Sequence, residues 1–334
     1  MIKVKGGFPN DMRCPSNPIR GLEKLNDLLG LNSSNLNLAP LERQNKGKCG
    51  ANWPDATGAA TTVNTPARAG QVAEFVRQGY NTNYASSWFM VRSGPLIRPS
   101  VSADPVPEIN FDGGAAGIDM KDFRNSRGPL TRRFCENSDV PISNIPLLAD
   151  CAAGDVNEAV LAFSLITPDG VTVDTGLIAG SQLGETFCDG PCYWNNNKVT
   201  LLKTYIPVAS TVPVQQPNVG RKVLPAAEGS FASLTAAGAL GNKLVLQDTR
   251  DWFAHHSGGT ANVLMADGSV KELVDTNGDG FFNPGLPIDE SISKSVLADS
   301  VGYTSGDCEV NSFEIFVGAM LDGVKISKKA KFEN

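Results

Sequence analysis

The stretch His255–Leu286, HHSGGTANVLMADGSVKELVDTNGDGFFNPGL, carries the reading on which the rest of the chain turns. Its first half predicts a β-hairpin of Asn262–Ala266, Asp267-Gly268 and Ser269–Leu273, since Asp-Gly readily takes up the positive φ angles that a tight two-residue turn requires. Its second half predicts a cation loop. Asp275, Asn277 and Asp279 alternate ahead of Gly280, which is the oxygen-ligand spacing of a calcium loop with glycine at the sharp bend. A metal site fastened directly to a hairpin would tie together the end of a β-rich domain.

Within the loop, Asp275, Asn277 and Asp279 offer side-chain oxygens, Phe281 offers its carbonyl, and Asn283 binds directly or through water. The twelfth position is Leu286, so the bidentate glutamate of an EF-hand is missing, and Asp289 or Glu290 is expected to swing in as the closing ligand. Calcium is favoured over a plain solvated turn because two acids and an amide at alternate positions repel or crowd one another without a cation. Outside a cell even a weak site, with a dissociation constant on the order of 0.1 to 1 mM, would be useful. Its role would be structural, since an ion that binds only the folded state stabilises that state.

Working outward, 334 residues are enough to bury a substantial core. With 41% hydrophobic and only 19% charged residues the chain is expected to fold with a polar, lightly charged surface, and its 34 glycines and 21 prolines imply many turns and long loops. A net charge of -6 argues against nucleic acid as a partner, because phosphate binding needs clustered Lys and Arg. The basic cluster Lys325–Lys331 reads as a solvated tail. Apolar runs such as Ala159–Phe163 fall far short of the roughly 20 residues of a spanning helix, and the Met-Ile-Lys-Val start lacks the apolar core of a signal peptide. Seven cysteines among Asn, Gly and Pro loops favour an oxidising, extracellular setting. Cys188 with Cys192, Cys135 with Cys151 and Cys14 with Cys49 are plausible disulfides.

In chain order, Pro18–Leu29 predicts an amphipathic helix closed by Gly30, and Thr65, Pro66 and Gly79 predict the cap, first position and end of another. Tyr80–Val91 suits a strand leaving that helix, and 92–137 a long surface excursion. From Val140 onward short strands broken by turns are expected at Ala159–Ile166, Val171–Val173, Lys198–Pro207, Lys243–Gln247, Phe313–Val317 and Val324–Ile326. The pattern is one α+β domain over residues 1–334: a helical part to 79, a strand and excursion over 80–139, a β-rich part over 140–326 and a tail over 327–334. N-terminal helices would pack on a mainly antiparallel β-sheet.

Arg13-Cys14-Pro15-Ser16-Asn17-Pro18, Thr82–Ala85, Asn144–Asp150 and, above all, His256-Ser257-Gly258-Gly259 leading to Ala266-Asp267-Gly268-Ser269-Val270 resemble the prepilin-type processing-associated H-X9-DG family. The motif residues on this chain are His256, Asp267 and Gly268. Residues 257–266 separate His256 from Asp267, one more than the nine of the family pattern. The resemblance implies a secreted pilin-like or pseudopilin-like protein, whose globular head would assemble with copies of itself or with other pilin-like subunits. Family members begin with a basic leader and a long apolar helix, through which alone the membrane would be engaged. The chain is read as the head without that helix.

An enzymatic reading would use His255 or His256, oriented by Asp251 or Asp267, with Ser257 or Ser230 as nucleophile. No Gly-x-Ser-x-Gly elbow, His-Glu-x-x-His or phosphate loop supports it, so no catalytic residue is assigned and the chain is expected not to be an enzyme. Zinc held by Cys188, Cys192 and a histidine is disfavoured by their spacing. The leading expectation is a structural subunit at the cell surface, stiffened by calcium. The alternative is a surface module binding polysaccharide or an envelope protein, with Tyr193, Trp194, Trp252 and Phe253 as a sugar platform.

Overall fold

The computed structural model of the chain describes residues 12–30, 62, 64–94, 126–156, 159–201, 213–214, 245–311, 313–321 and 325–326. Among these the elements run α1 (Lys24–Leu29), α2 (Pro66–Arg77), β1 (Tyr84–Ser86), α3 (Trp88–Arg92), α4 (Arg132–Glu136), a 3-10 turn (Ile142–Asn144), β2 (Pro146–Asp150), β3 (Pro191–Asn195), β4 (Lys198–Leu201), β5 (Pro213–Val214), β6 (Val245–Gln247), β7 (Thr260–Met265), β8 (Val270–Val274), α5 (Lys294–Ser300) and β9 (Lys325–Ile326). The fold mixes a few short helices with two small antiparallel sheets, ordered β1-β2-β7-β8 and β4-β3-β6, beside the parallel pair β5-β9. No helix among the described residues is long and apolar enough to cross a membrane.

The chain forms two compact units, each drawn from two stretches: residues 1–85 with 150–186, and 86–149 with 187–334. In the first, α1 and α2 bring Leu25, Leu28 and Leu29 against Val72, Ala73 and Val76, with Leu161, Leu165, Leu177 and Leu183 closing the cluster. Helix α2 forms where the sequence signals place it. Thr65, in an extended conformation, accepts the Arg68 N–H at 3.2 Å, and Pro66 needs no hydrogen-bond partner at the first position. Replacing Thr65→Ala is expected to lower stability by about 1 kcal/mol, read as a lower urea midpoint at unchanged slope.

Helix α1 is shorter than Pro18–Leu29. The Asn17 carboxamide accepts the Ile19 N–H at 2.9 Å and donates to Asn83 O and Cys151 O, while Glu23 N donates to Gly184 O at 3.0 Å. These bonds hold residues 17–23 in an irregular course, and the helix starts at Lys24. The segment 159–173 departs from two strands in the same way. It narrows to isolated bridges, Val160 to Gln182 and Ile166 to Thr172, although the turn between them forms, with Gly170 N donating to Thr167 O.

The second unit buries Trp88, Phe89, Ile145, Cys192, Leu246, Leu286, Tyr303 and Phe316 in one cluster. The expected strand Tyr80–Val91 stops at Ser86, because the Ser87 hydroxyl caps α3 by accepting the Met90 N–H at 3.2 Å. Of the expected surface excursion, residues 126–137 hold α4, capped by Thr131, with Cys135 buried; the span 95–125 lies outside the described residues. Phe313–Val317 is a turn, not a strand, since Asn311 O accepts the N–H groups of Glu314 and Ile315. Lys198–Pro207 and Lys243–Gln247 appear as β4 and β6, and Val324–Ile326 as β9, their remaining residues lying outside the described ones.

The hairpin β7-β8 is built in continuous register from Thr260 opposite Val274 to Leu264 opposite Val270. Its connection is longer than a two-residue turn. Gly268 N donates to Met265 O at 2.9 Å, Met265 N donates to Ser269 O at 2.8 Å, and φ is positive at Gly268 alone, at 88°. This is a turn followed by a left-handed glycine bulge. Asp267 keeps ordinary backbone and uses its carboxylate to accept Ser269 N and Oγ.

Cys14, Cys135, Cys151, Cys188, Cys192 and Cys308 are buried and in the thiol form. The expected Cys188–Cys192 bridge is absent because the Gly-Pro pair runs straight into β3, where Cys192 pairs with Leu201 and Leu246 and its side chain joins the core. Cys135 and Cys151 likewise stand as thiols, and Cys49 lies outside the described residues.

A candidate metal site

The loop leaving β8 folds around its own acids. Asp275 accepts the N–H groups of Asn277 and Gly278 on Oδ1, at 3.1 and 2.6 Å, and that of Gly280 on Oδ2 at 2.7 Å. Asn277 Oδ1 accepts Asp279 N at 3.0 Å, and Asp279 Oδ1 accepts Phe281 N at 2.8 Å. Each side chain thus turns back onto the backbone two or more residues ahead, as Asx residues do in tight turns. Gly280 is required at the bend: its φ is 87°, and a Cβ there would stand 2.1 Å from the Phe253 ring. That ring meets Phe281 edge-on at 5.1 Å, and Phe281 in turn meets Tyr303, which fixes the loop on the core.

A third carboxylate closes the site from downstream. Glu309 accepts Thr276 N at 2.8 Å and Asn277 N at 3.3 Å on Oε1, and Asn283 N at 3.0 Å on Oε2. Asp279 Oδ2 reaches toward the same segment and accepts Thr304 N at 2.7 Å. Asp275, Asp279 and Glu309 each bring a carboxylate oxygen within 4.8 Å of the other two. Burial, together with the charges of Asp279 and Asp275, pushes the Glu309 carboxyl up to about 7. Asp279 is also raised, by burial first and by Asp275 in part, against the hydrogen bonds from Thr304 and Phe281.

The sequence-derived candidates divide accordingly. Asp275 and Asp279 meet in the cluster, and Asn277 lies between them with its carbonyl oxygen on Asp279 N. Asn283 is fully buried and structural: its amide donates to Leu286 O and Ser305 O and its oxygen accepts Gly285 N and Leu286 N. Asp289 accepts Ser291 N, and Glu290 accepts Gly306 N. Glu309, thirty residues beyond Asp279, is the third carboxylate that the structure brings to Asp275 and Asp279, where the sequence had pointed to Asp289 or Glu290. The only signal for it was negative, the missing glutamate at Leu286, which required a ligand from elsewhere.

The H-to-DG motif spans the hairpin lengthwise. His256 bridges Thr260 at the start of β7 through backbone bonds, whereas Asp267 lies past the other end of that strand, a separation on the order of 20 Å at about 3.3 Å per residue. The structure does not bring them together. His255 packs on Phe253 at 4.9 Å. Trp252 is buried, while Tyr193 and Trp194 pack against the core as partly buried neighbours, so these aromatics do not share one open face. Ser230 lies outside the described residues.

No family model, curated protein or solved structure matches the chain. The site therefore stands on its own chemistry. An all-oxygen donor set with two acids from one loop and a third from a distant segment could hold a hard cation.

Proposed function

We propose that the chain is the extracellular head of a pilin-like or pseudopilin-like subunit, a structural unit whose β-rich part is held rigid by one calcium ion. The observation that supports the ion is the meeting of Asp275, Asp279 and Glu309; the carboxyls of Glu309 and Asp279 are raised by burial first and by the neighbouring acids second, a cost of holding charge there that a divalent cation would relieve. The ion would cross-link the loop after β8 to the segment carrying Thr304 and Glu309, joining the hairpin to residues that fill the core. The subunit reading rests on the H-to-DG resemblance. Packing and stiffness, with no chemistry at a catalytic centre, would then be the mechanism.

Calorimetric titration of chelator-treated protein with calcium chloride at pH 7.5 tests the ion. One site is expected, with a dissociation constant on the order of 0.1 to 1 mM, and Asp275→Asn should weaken it. Absence of saturable heat would remove calcium from the proposal. The subunit reading is checked separately in the upstream coding sequence, where a short basic leader and an apolar helix are expected.

A further inference from the structure

The first unit carries a cleft of about 230 Å³ that the reading above does not use, with Arg13, Arg77, Asn81, Thr172 and Asp174 among its polar walls and Val76, Val171 and Val173 among its apolar ones. Three features of it point to a ligand. Thr172 pairs with Ile166 in an antiparallel bridge whose hydrogen bonds are made by its neighbours, Thr167 N to Val171 O and Val173 N to Leu165 O. In such a pair the amide and carbonyl of the central residue point away from the partner strand. Those of Thr172 therefore form a free strand edge on the cleft. Asn81 donates its amide to Arg20 O, but its Oδ1 is buried with no donor, a costly state for an acceptor. Arg13 spends only Nη1, on Asp174 Oδ2 at 2.7 Å and Arg20 O, and Arg77 spends Nε and Nη2 on Glu74.

We propose that this cleft binds an extended peptide bearing an acidic side chain, which adds as a strand beside Thr172. The strand edge supplies one backbone donor and one acceptor at peptide spacing, as in other β-addition sites. Asn81 Oδ1 takes a peptide N–H. The remaining N–H groups of Arg13 and Arg77 receive the carboxylate, two guanidinium groups facing the single acid of the lining, Asp174. A guanidinium fork favours a carboxylate over an amide, and the valines take the side-chain stem.

The test is a TROSY titration of the full chain with acetyl-Val-Glu-Val-amide and with its Gln counterpart. Shifts are expected at Arg13, at residues 76–81 and at 171–174, with the Glu peptide binding about five- to tenfold more tightly. Arg77→Gln, on a side chain that is 60% exposed, should narrow that gap, and Arg13→Gln should abolish it while the Gln peptide still binds. Equal affinity for both peptides, shifts scattered elsewhere, or a gap unchanged in both variants would overturn the proposal. Calcium binding at the other unit is read independently of any of these outcomes.

Discussion

Chelating divalent ions is expected to lower the melting temperature by roughly 4 °C relative to protein in 10 mM calcium, because an ion at a hundredfold excess over its dissociation constant stabilises by about 2.7 kcal/mol and a chain of 334 residues unfolds with a correspondingly large entropy. The reference is a site of about 0.1 mM, at the tight end of extracellular calcium modules. Magnesium at the same concentration should recover much less, since it dehydrates reluctantly and demands near-octahedral ligands at shorter distance. Asp279→Asn and Glu309→Gln should both flatten the response, and a variant at Asp289, whose carboxylate is occupied by Ser291, should leave it intact. If chelation leaves the wild-type transition where it was, the loop is an ordinary turn and the calcium reading fails.

The size of that shift follows from what the site joins. Thr304 and Glu309 sit in a stretch that also delivers Tyr303, Cys308 and Val310 to the interior, all fully buried. Without the ion, the loop and this stretch are held by backbone N–H groups donated to carboxylates that repel one another. Local opening would then begin here, where acids are gathered against buried backbone. Hydrogen exchange at Thr276, Asn277, Asn283 and Thr304 should accelerate on chelation, since their amides are the donors to Glu309 and Asp279.

What the sequence carried was local. The β7-β8 hairpin, the cap at Thr65 and the Asx pattern of Asp275, Asn277 and Asp279 are each written within a few residues, and each forms where its pattern lies. Alternation, a capping threonine and an Asp-Gly pair act through near neighbours, so a one-dimensional reading reaches them. The misses were decided by distant partners. Residues 17–23 lost helical structure to Asn83, Cys151 and Gly184, and Phe313–Val317 has its backbone engaged by Asn144 and, at Val317 O alone, by Gln247 at the end of β6, too little for a strand. Glu309 is the same kind of miss at the site, being brought in by long-range packing. The two units were invisible for a related reason: each is assembled from separated stretches, so no linker composition marks a boundary.

In calcium-free buffer the stability of the protein should fall as pH rises from about 4.5 to about 7, by on the order of 1–3 kcal/mol. The sign follows from Glu309. Burial raises its folded carboxyl to about 7, above the ordinary glutamate value of 4.5, so between those values the folded state holds a proton that the unfolded state has released, and unfolding becomes easier with each increment of pH. Asp279, raised by burial above its ordinary value, contributes in the same direction. Carboxyls lowered in the fold act oppositely and in a different window. Asp174, lowered despite its burial by Arg13 and the Gly176 N–H, stabilises above its unfolded value and loses that contribution only as the solution becomes strongly acidic. Urea midpoints measured from pH 4.5 to 8 in chelator should therefore decline and then level off. Glu309→Gln should remove most of the slope, although its absolute stability falls because one carboxamide edge must face a backbone N–H of Thr276 or Asn283 with its own NH2. Calcium should reverse the decline only where Glu309 has lost its proton, so the calcium-dependent gain should grow toward pH 8. A slope that survives Glu309→Gln unchanged would place the titration elsewhere and detach the buried carboxylate from the proposed ion.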